Sequence, residues 1–384
     1  MKYKILQTFR ELFNEEPLLF NAPGRINLIG EHTDYNEGFV FPAAIDKSIV
    51  LAIKPNNSKN VRLHAYNLNE TYEFYISDFQ KSEKAWANYI LGVLNEFEKE
   101  AYLIEGFDCV FGGNIPYGAG LSSSAAIETV FTYALNHLHQ FQIPSSKLIK
   151  MAQMAEVKFV GVNCGIMDQF ISFNGKKDKA LKLDCRTLEY EYFDIDLGDY
   201  SIILADTLVK HALASGEYNL RRQECEKGVE TVQKIYPNVK NLRDVNIQQL
   251  HELQKHFHET IYKRCKFVVE ENQRVQNAAA FLQNNMLESF GQELFKSHIG
   301  LSQLYEVSCP GLDLLSEEAK KMNGVIGSRM MGGGFGGCTI NIVKSDIIEK
   351  FEQKLNNSFF KMFNHKPEFH KVRIVDGAGT LVVN

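Results

Sequence analysis

The sequence predicts an α+β protein of two domains, and three observations carry that prediction. Strand-like and helix-like runs occur in mixed order, the pattern resets near Gly175, and 384 residues with 45% hydrophobic content are enough for more than one core. The predicted domains are 1–175 and 176–384.

The elements follow in order. Residues 1–14 place Ile5, Leu6, Phe9, Leu12 and Phe13 at helical spacing, which predicts a short amphipathic helix. From 18 to about 76, β-favouring runs at 49–53, 61–63 and 72–76 are punctuated by Gly, Pro and Asn and read as a sheet. Trp86, Ile90, Val93, Leu94 and Phe97 restore a helical period. A strand over 107–111 leads into a Gly-rich segment, 112–120, and then into a helix carrying Ala125, Val130, Phe131 and Leu135. A further helix is expected over 146–160. Beyond Gly175 come strand-like runs at 180–183 and 202–206, then helices from about 216 to 322. The tail holds a second Gly-rich segment, a strand over 339–343, a helix, and β-like runs at 371–375 and 380–383.

Composition excludes several classes of function. A net charge of -5 and a pI near 6.2 leave no basic excess to displace phosphate counterions, so nucleic acid is not expected as a partner. Arg221 and Arg222 are balanced by Glu217, Glu224 and Glu226 and read as a solvated helix face. Seven cysteines without a C-x-x-C pair predict reduced thiols in a cytosol. The N-terminus lacks the apolar run of a signal peptide, and no stretch approaches the roughly 20 apolar residues of a spanning helix. A cytoplasmic protein without a membrane partner is expected. His251, His256 and His258 do not form a ligand set, because a spacing of five does not share a helical face well.

Three segments carry chemistry. In Asn21-Ala-Pro-Gly-Arg-Ile-Asn-Leu-Ile-Gly-Glu-His-Thr-Asp-Tyr-Asn36, the side chains of Glu31, His32, Asp34 and Asn36 cluster after an apolar run that Arg25 begins. An ordinary charged loop could look the same, yet a sugar needs several oriented acceptors and donors on one rim, and carboxylates are the strongest acceptors. Gly112-Gly-Asn-Ile-Pro-Tyr-Gly-Ala-Gly-Leu-Ser-Ser-Ser-Ala-Ala126 stands between a strand and a helix. Its small residues let backbone N–H groups approach an anion, and the helix that follows turns its positive end to the same place. It is not a Walker A loop, because G-K-[ST] is absent.

The third segment, Met331-Gly-Gly-Gly-Phe-Gly-Gly-Cys338, formally fits G-x-G-x-x-G through Gly332, Gly334 and Gly337. A dinucleotide loop needs a preceding strand and a following helix. Here the run from Leu312 looks helical and 339–343 alternates like a strand, so that reading is rejected. The glycines still imply close approach to another loop or to a ligand. Asp168, in Asn163-Cys-Gly-Ile-Met-Asp-Gln169, is an acid in small and apolar surroundings, where a helix cap or ion pair is the ordinary explanation.

Taken together, these segments resemble the signatures of the GHMP kinases, a superfamily of small-molecule kinases. Gly24-Arg-Ile-Asn-Leu-Ile-Gly-Glu-His-Thr-Asp-Tyr35 resembles the galactokinase signature within it, the 118–124 loop its nucleotide motif, and 332–338 its C-terminal motif. The segments 164–169 and 217–222 also resemble galactokinase segments, in the same order. The resemblance implies a two-domain fold with its active site in the interdomain cleft, and transfer of the γ-phosphoryl group of ATP to the C1 hydroxyl of galactose.

Carried over by motif, Asp168 is implied as the base and Arg25 as the cation that stabilises the transition state. Glu31, His32, Thr33, Asp34 and Tyr218 fall at sugar-binding positions. Gly118, Ala119, Gly120, Leu121, Ser122, Ser123 and Ser124 fall at the phosphate loop, with Ser124 and Glu156 at Mg²⁺ positions. Trp86 resembles a residue near the adenine pocket, or is simply a helix residue in the core. The implied partners are galactose and ATP with Mg²⁺, and a monomer is expected. A kinase for N-acetylgalactosamine fits less well, since His32-Thr-Asp-Tyr35 is intact. A sugar sensor without turnover also fits less well, since 121–126, Asp168 and Arg25 are all present.

Overall fold

The computed structural model describes residues 1–209 and 214–382. Its largest sheet has six strands in the order Gly379–Thr380, Leu18–Asn27, Pro42–Pro55, Phe107–Gly113, Asn60–Ala65 and Glu70–Tyr75. All neighbours are antiparallel except Asn60–Ala65 beside Phe107–Gly113. A four-stranded antiparallel sheet follows the order Val325–Met330, Cys338–Lys344, Tyr200–Asp206 and Glu368–Val372. A smaller ribbon pairs Phe39–Val40 with Lys179–Asp184, and the latter with Tyr190–Asp194.

The first helix, Lys2–Phe13, lays Ile5, Leu6 and Phe9 against the large sheet, and Asn14 ends it in the left-handed region at φ 52°. Burying each such side chain contributes about 1.5–3 kcal/mol, which a terminal helix needs to stay docked. One apolar cluster runs through both halves of the chain. It joins Ile26, Leu28 and Phe41 to Leu204, Val275, Leu294 and Ile340. A second cluster, around Phe97, Phe111 and Phe131, belongs to residues before 176, apart from a partly buried Ala378 at its edge.

Chain order and spatial order part company at several points. The strand Phe39–Val40 pairs with a strand beyond residue 175, and Thr380 returns to pair with Phe20. Of the run expected over 380–383, only Thr380 belongs to a strand, and Val383 lies outside the described residues. The run expected over 371–375 sits earlier, at Glu368–Val372. The helix expected over 146–160 ends at Met154 and continues as a π-helical turn, Ala155–Val160. Directly before the second Gly-rich segment stands a strand, Val325–Met330, buried at every position. Full burial removes the alternation that marks a half-buried strand, so this one was not legible beside the helix Pro310–Lys320. The dinucleotide reading stays rejected, because a strand follows the glycines too.

Arg221 needs correction. It is not on a solvated face: its side chain is buried, with Nε donating to the Tyr305 carbonyl at 2.8 Å and a terminal nitrogen to the Glu306 carbonyl at 2.9 Å. Charge balance in the sequence cannot tell a solvated cation from one that caps backbone carbonyls.

Candidate active site

The strand Leu18–Asn27 shifts register against its neighbour between Pro23 and Arg25. An irregularity of this kind re-aims a side chain, and here the side chain is Arg25. Its Nε donates to Asp168 Oδ1 at 2.8 Å and a terminal nitrogen to Oδ2 at 2.9 Å, a two-pronged ion pair across 143 residues of sequence. The other terminal nitrogen donates to the Gly120 carbonyl at 2.5 Å, and the Arg25 backbone N–H to the Leu121 carbonyl at 3.2 Å. Burial works against the Arg25 charge, but the carboxylates of Asp168, Glu31 and Asp34 outweigh it and raise its pKa.

Asp168 stands in the first turn of the helix Met167–Asn174, where a negative side chain is favoured by the helix dipole. The Ser122 hydroxyl also donates to its Oδ2. Ser122 itself is left-handed, at φ 60°, immediately before the helix Ser123–Leu138. The turn that opens this helix therefore touches the Arg25–Asp168 pair from two sides. Ala119 and Leu121 bury their side chains in the core, so only their backbone is available to a ligand.

The second Gly-rich segment packs on the first. A Cβ on Gly332 would stand 3.2 Å from the Gly120 carbonyl, and one on Gly337 would stand 3.3 Å from Ala119, both tighter than ordinary contact. Gly332 and Gly337 also have φ near 80°, a region where a side chain is strained. The close approach anticipated from the sequence is thus to another loop, and 332–334 line the cleft as well.

The cleft encloses about 250 Å³ and is lined by Arg25, Glu31, His32, Asp34, Glu156, Asp168 and Tyr218, with Cys164, Gly165 and the 332–334 turn among its other walls. A larger groove of about 680 Å³, between Asn57 and Leu103, contains none of these residues. Glu31 Oε1 accepts the Gly332 N–H at 2.8 Å and Arg329 at 3.0 Å. His32 Nδ1 meets the Tyr35 hydroxyl at 2.7 Å, and that hydroxyl meets Tyr305 at 2.7 Å. The His32 ring lies 5.3 Å from Tyr218 and 4.9 Å from Tyr305. Burial drives its pKa down to about 3, against the opposing pull of the Gly333 backbone, so the imidazole is neutral. Its Nε2 has no hydrogen-bond partner among the described residues.

Asp34 fits against Gly165, where any Cβ would strike its carboxylate. Burial, then the Asp168 charge, push its pKa up to about 7. Thr33 is set apart from the other signature residues. It is fully buried, and its hydroxyl faces the carbonyls of Gly30, at 2.8 Å, and Phe39, at 2.6 Å, closing the loop on itself. Trp86 precedes the helix Ala87–Lys99, donates to Glu70 at 2.8 Å, packs near Phe111, and does not line the cleft.

Glu156 enters the cleft from the π-helical turn. Its Oε2 accepts from Gln169 at 2.8 Å, and the same Gln169 nitrogen reaches buried Glu128 at 2.9 Å. Burial, then the charge of Asp168, raises the Glu156 pKa, while Ser124, Cys164 and Gln169 act to lower it. Glu128, Gln169 and Arg329 were not singled out in the sequence. Arg329 alone left a signal there, as a lone cation in the apolar Val325–Met330 run.

Comparison with known proteins shows the family. The galactokinase galactose-binding signature matches residues 7–55, the GHMP kinases N terminal domain 88–176, and the GHMP kinases C terminal domain 278–361. The galactokinase of Clostridium acetobutylicum is 42% identical over 378 residues, 97% of each chain. That of Thermotoga maritima is 44% identical over 356 residues, 93% of this chain and 98% of the relative. The structure of Lactococcus lactis galactokinase with galactose superposes at a TM-score of 0.95, with 34% identity over 98% of each chain. Mevalonate kinase from Methanococcus jannaschii, at 18% identity and a TM-score of 0.61 over 94% of this chain and 99% of its own, shares the fold alone. The chain belongs to the galactokinase family, sugar kinases of the GHMP superfamily.

Proposed function

We propose that the cleft transfers the γ-phosphoryl group of ATP to the C1 hydroxyl of galactose, giving galactose 1-phosphate and ADP. The observation that carries this reading is convergence: the Arg25–Asp168 pair touches the Gly120–Ser122 turn on one side and shares its cleft with Glu31, His32, Asp34 and Tyr218 on the other. Asp168 is the base. Its Oδ2 already accepts from Arg25 and Ser122, whereas Oδ1 accepts from Arg25 alone. Oδ1 keeps the lone pair free to take the proton of the anomeric hydroxyl. Arg25 lies where charge develops on the transferring group, and such a fixed cation is a large part of phosphoryl-transfer catalysis.

Glu31, His32, Asp34 and Tyr218 hold the sugar, with Thr33 bracing the loop that carries them. The backbone of 118–121 and the hydroxyls of Ser122, Ser123 and Ser124 receive the phosphates. Ser124 and Glu156 fit a Mg²⁺ ion, because two oxygen donors meet beside a buried carboxyl, Glu128, whose own pKa is raised by burial and by Glu156. A cation there would relieve that repulsion, and Mg²⁺ usually takes one or two carboxylates plus substrate phosphates. When bound, the ion neutralises charge on the phosphate oxygens. The adenine is placed toward Trp86, just before the helix that carries Tyr89, whose pKa is raised by burial and then by the charges of Glu156 and Glu128.

Residues 1–175 and 176–384 serve as the two domains that close the cleft, and the protein acts as a cytoplasmic monomer. No helix among the described residues is long and apolar enough to cross a membrane. ADP release with galactose, glucose, N-acetylgalactosamine and mevalonate in turn tests the whole reading. Release with galactose is expected to exceed the others by about two orders of magnitude, as a site built for particular hydroxyls allows. No release with galactose would sink it.

A further inference from the structure

Glu31 is held by a side chain that never reaches the cleft. Arg329 has no exposed surface, yet four acceptors surround its guanidinium. Nε donates to the Leu28 carbonyl at 2.8 Å, one terminal nitrogen to the Met330 carbonyl at 2.8 Å, and the other to the Asn27 carbonyl and to Glu31 Oε1. Two of the three carbonyls stand at the entry to the signature loop. The planar fork therefore fixes both the loop and its carboxylate, which a single ammonium could not do.

The second anchor acts on the same atom. The Gly332 N–H also donates to Oε1, and Oε2 accepts from no described residue. An ion pair that served the fold alone would satisfy both oxygens of a carboxylate this well buried. Here one oxygen is tied twice and the other is left for the cleft that Glu31 lines.

Building on the galactose-kinase reading, we propose that Arg329 is a positioning residue for sugar selection. It fixes the plane of the Glu31 carboxylate so that Oε2 accepts one particular hydroxyl of the hexose. A sugar in which that hydroxyl is missing or turned away leaves the oxygen unpaired and is disfavoured. Asp34 plays a different part. Its carboxylate has the Tyr35 N–H as its hydrogen-bond donor and packs on Gly165, so it can adjust to its ligand more freely.

The test is a kinetic cycle with galactose and its 2-, 3-, 4- and 6-deoxy analogues, on the parent, Arg329→Lys and Glu31→Gln. Arg329→Lys is expected to raise the galactose KM roughly tenfold or more while the ATP KM moves less than about twofold. For one deoxy sugar, the same one to which Glu31→Gln is indifferent, Arg329→Lys is expected to cost less than about twofold. A loss of equal size for every analogue, or an ATP KM that rises alongside, would overturn the positioning role while leaving the kinase intact. A parent without galactose turnover overturns both readings. Should Arg329→Lys fail to fold, Arg329→Met with Glu31→Gln removes both charges. A folded double variant must then keep the single-analogue pattern, and failure of both variants to fold assigns Arg329 to the fold and overturns the proposal.

Discussion

Two guanidinium–carboxylate pairs stand within one site, and they are built differently. In Arg25–Asp168 the acid side chain is 28% exposed and opens onto the cleft, and the fork grips both of its oxygens. In Arg329–Glu31 the two side chains are 0% and 3% exposed, and most of the fork is spent on backbone carbonyls. The same two functional groups thus serve opposite ends. A pair whose acid opens onto a cleft can exchange a proton and meet developing charge, whereas a pair whose cation is sealed in backbone carbonyls is suited to holding its carboxylate in place. Removing one partner of a buried pair leaves a charge uncompensated, so the second pair is expected to tolerate change poorly.

That contrast can be broken by experiment. The largest effect is expected from Asp168→Asn, which keeps the shape and removes the proposed base. Turnover should drop by roughly two orders of magnitude or more, with galactose and ATP binding still measurable by calorimetry. Turnover within about threefold of the parent would take Asp168 out of the base role. Arg25→Lys comes next, since it keeps the charge but loses the two-pronged grip and the Gly120 anchor. A loss of about 10- to 100-fold in kcat/KM is expected, and full activity would show that charge alone suffices.

The smallest effect concerns stability and sharpens the electrostatic side of the comparison. Burial, and then the Asp168 charge, outweigh the pull of Arg25 and raise the Asp34 pKa to about 7. Between its unfolded value near 3.8 and that folded value, the native protein keeps a proton that the unfolded chain has released. Stability therefore falls as pH rises through this window and stays reduced above it. Asp34→Asn removes the titration, so it should be more stable than the parent by about 1–3 kcal/mol at pH 8, with the gap closing toward pH 4. Denaturant midpoints at several pH values measure this, and a gap that does not vary with pH would refute the shift.

Much of the site was legible one segment at a time. The acids and the imidazole of 31–34 and the glycines and serines of 118–124 stood out by composition, because ligands of that chemistry need those groups crowded together, whereas Asp168 gained its implied role only from the family resemblance. Thr33 looked like one of the set, but its hydroxyl turns to its own loop, a choice between two nearby acceptors that spacing cannot reveal. The partnerships were beyond reach. Glu31 and Arg329 are 298 residues apart, and no local pattern tells a cation in a buried strand which carboxylate it will meet.

The sequence alone determined which chemical groups this protein owns and, through periodicity and glycine placement, most of its helices, strands and loops. These are consequences of nearest neighbours along the chain. Only the tertiary structure decided that the 332–337 glycines back onto 118–120, that a register shift aims Arg25 at Asp168, and that one ion pair opens onto the cleft while the other is almost wholly buried. Those outcomes depend on burial and on contacts between distant segments, and burial is a property of the packed whole that no single stretch of residues carries.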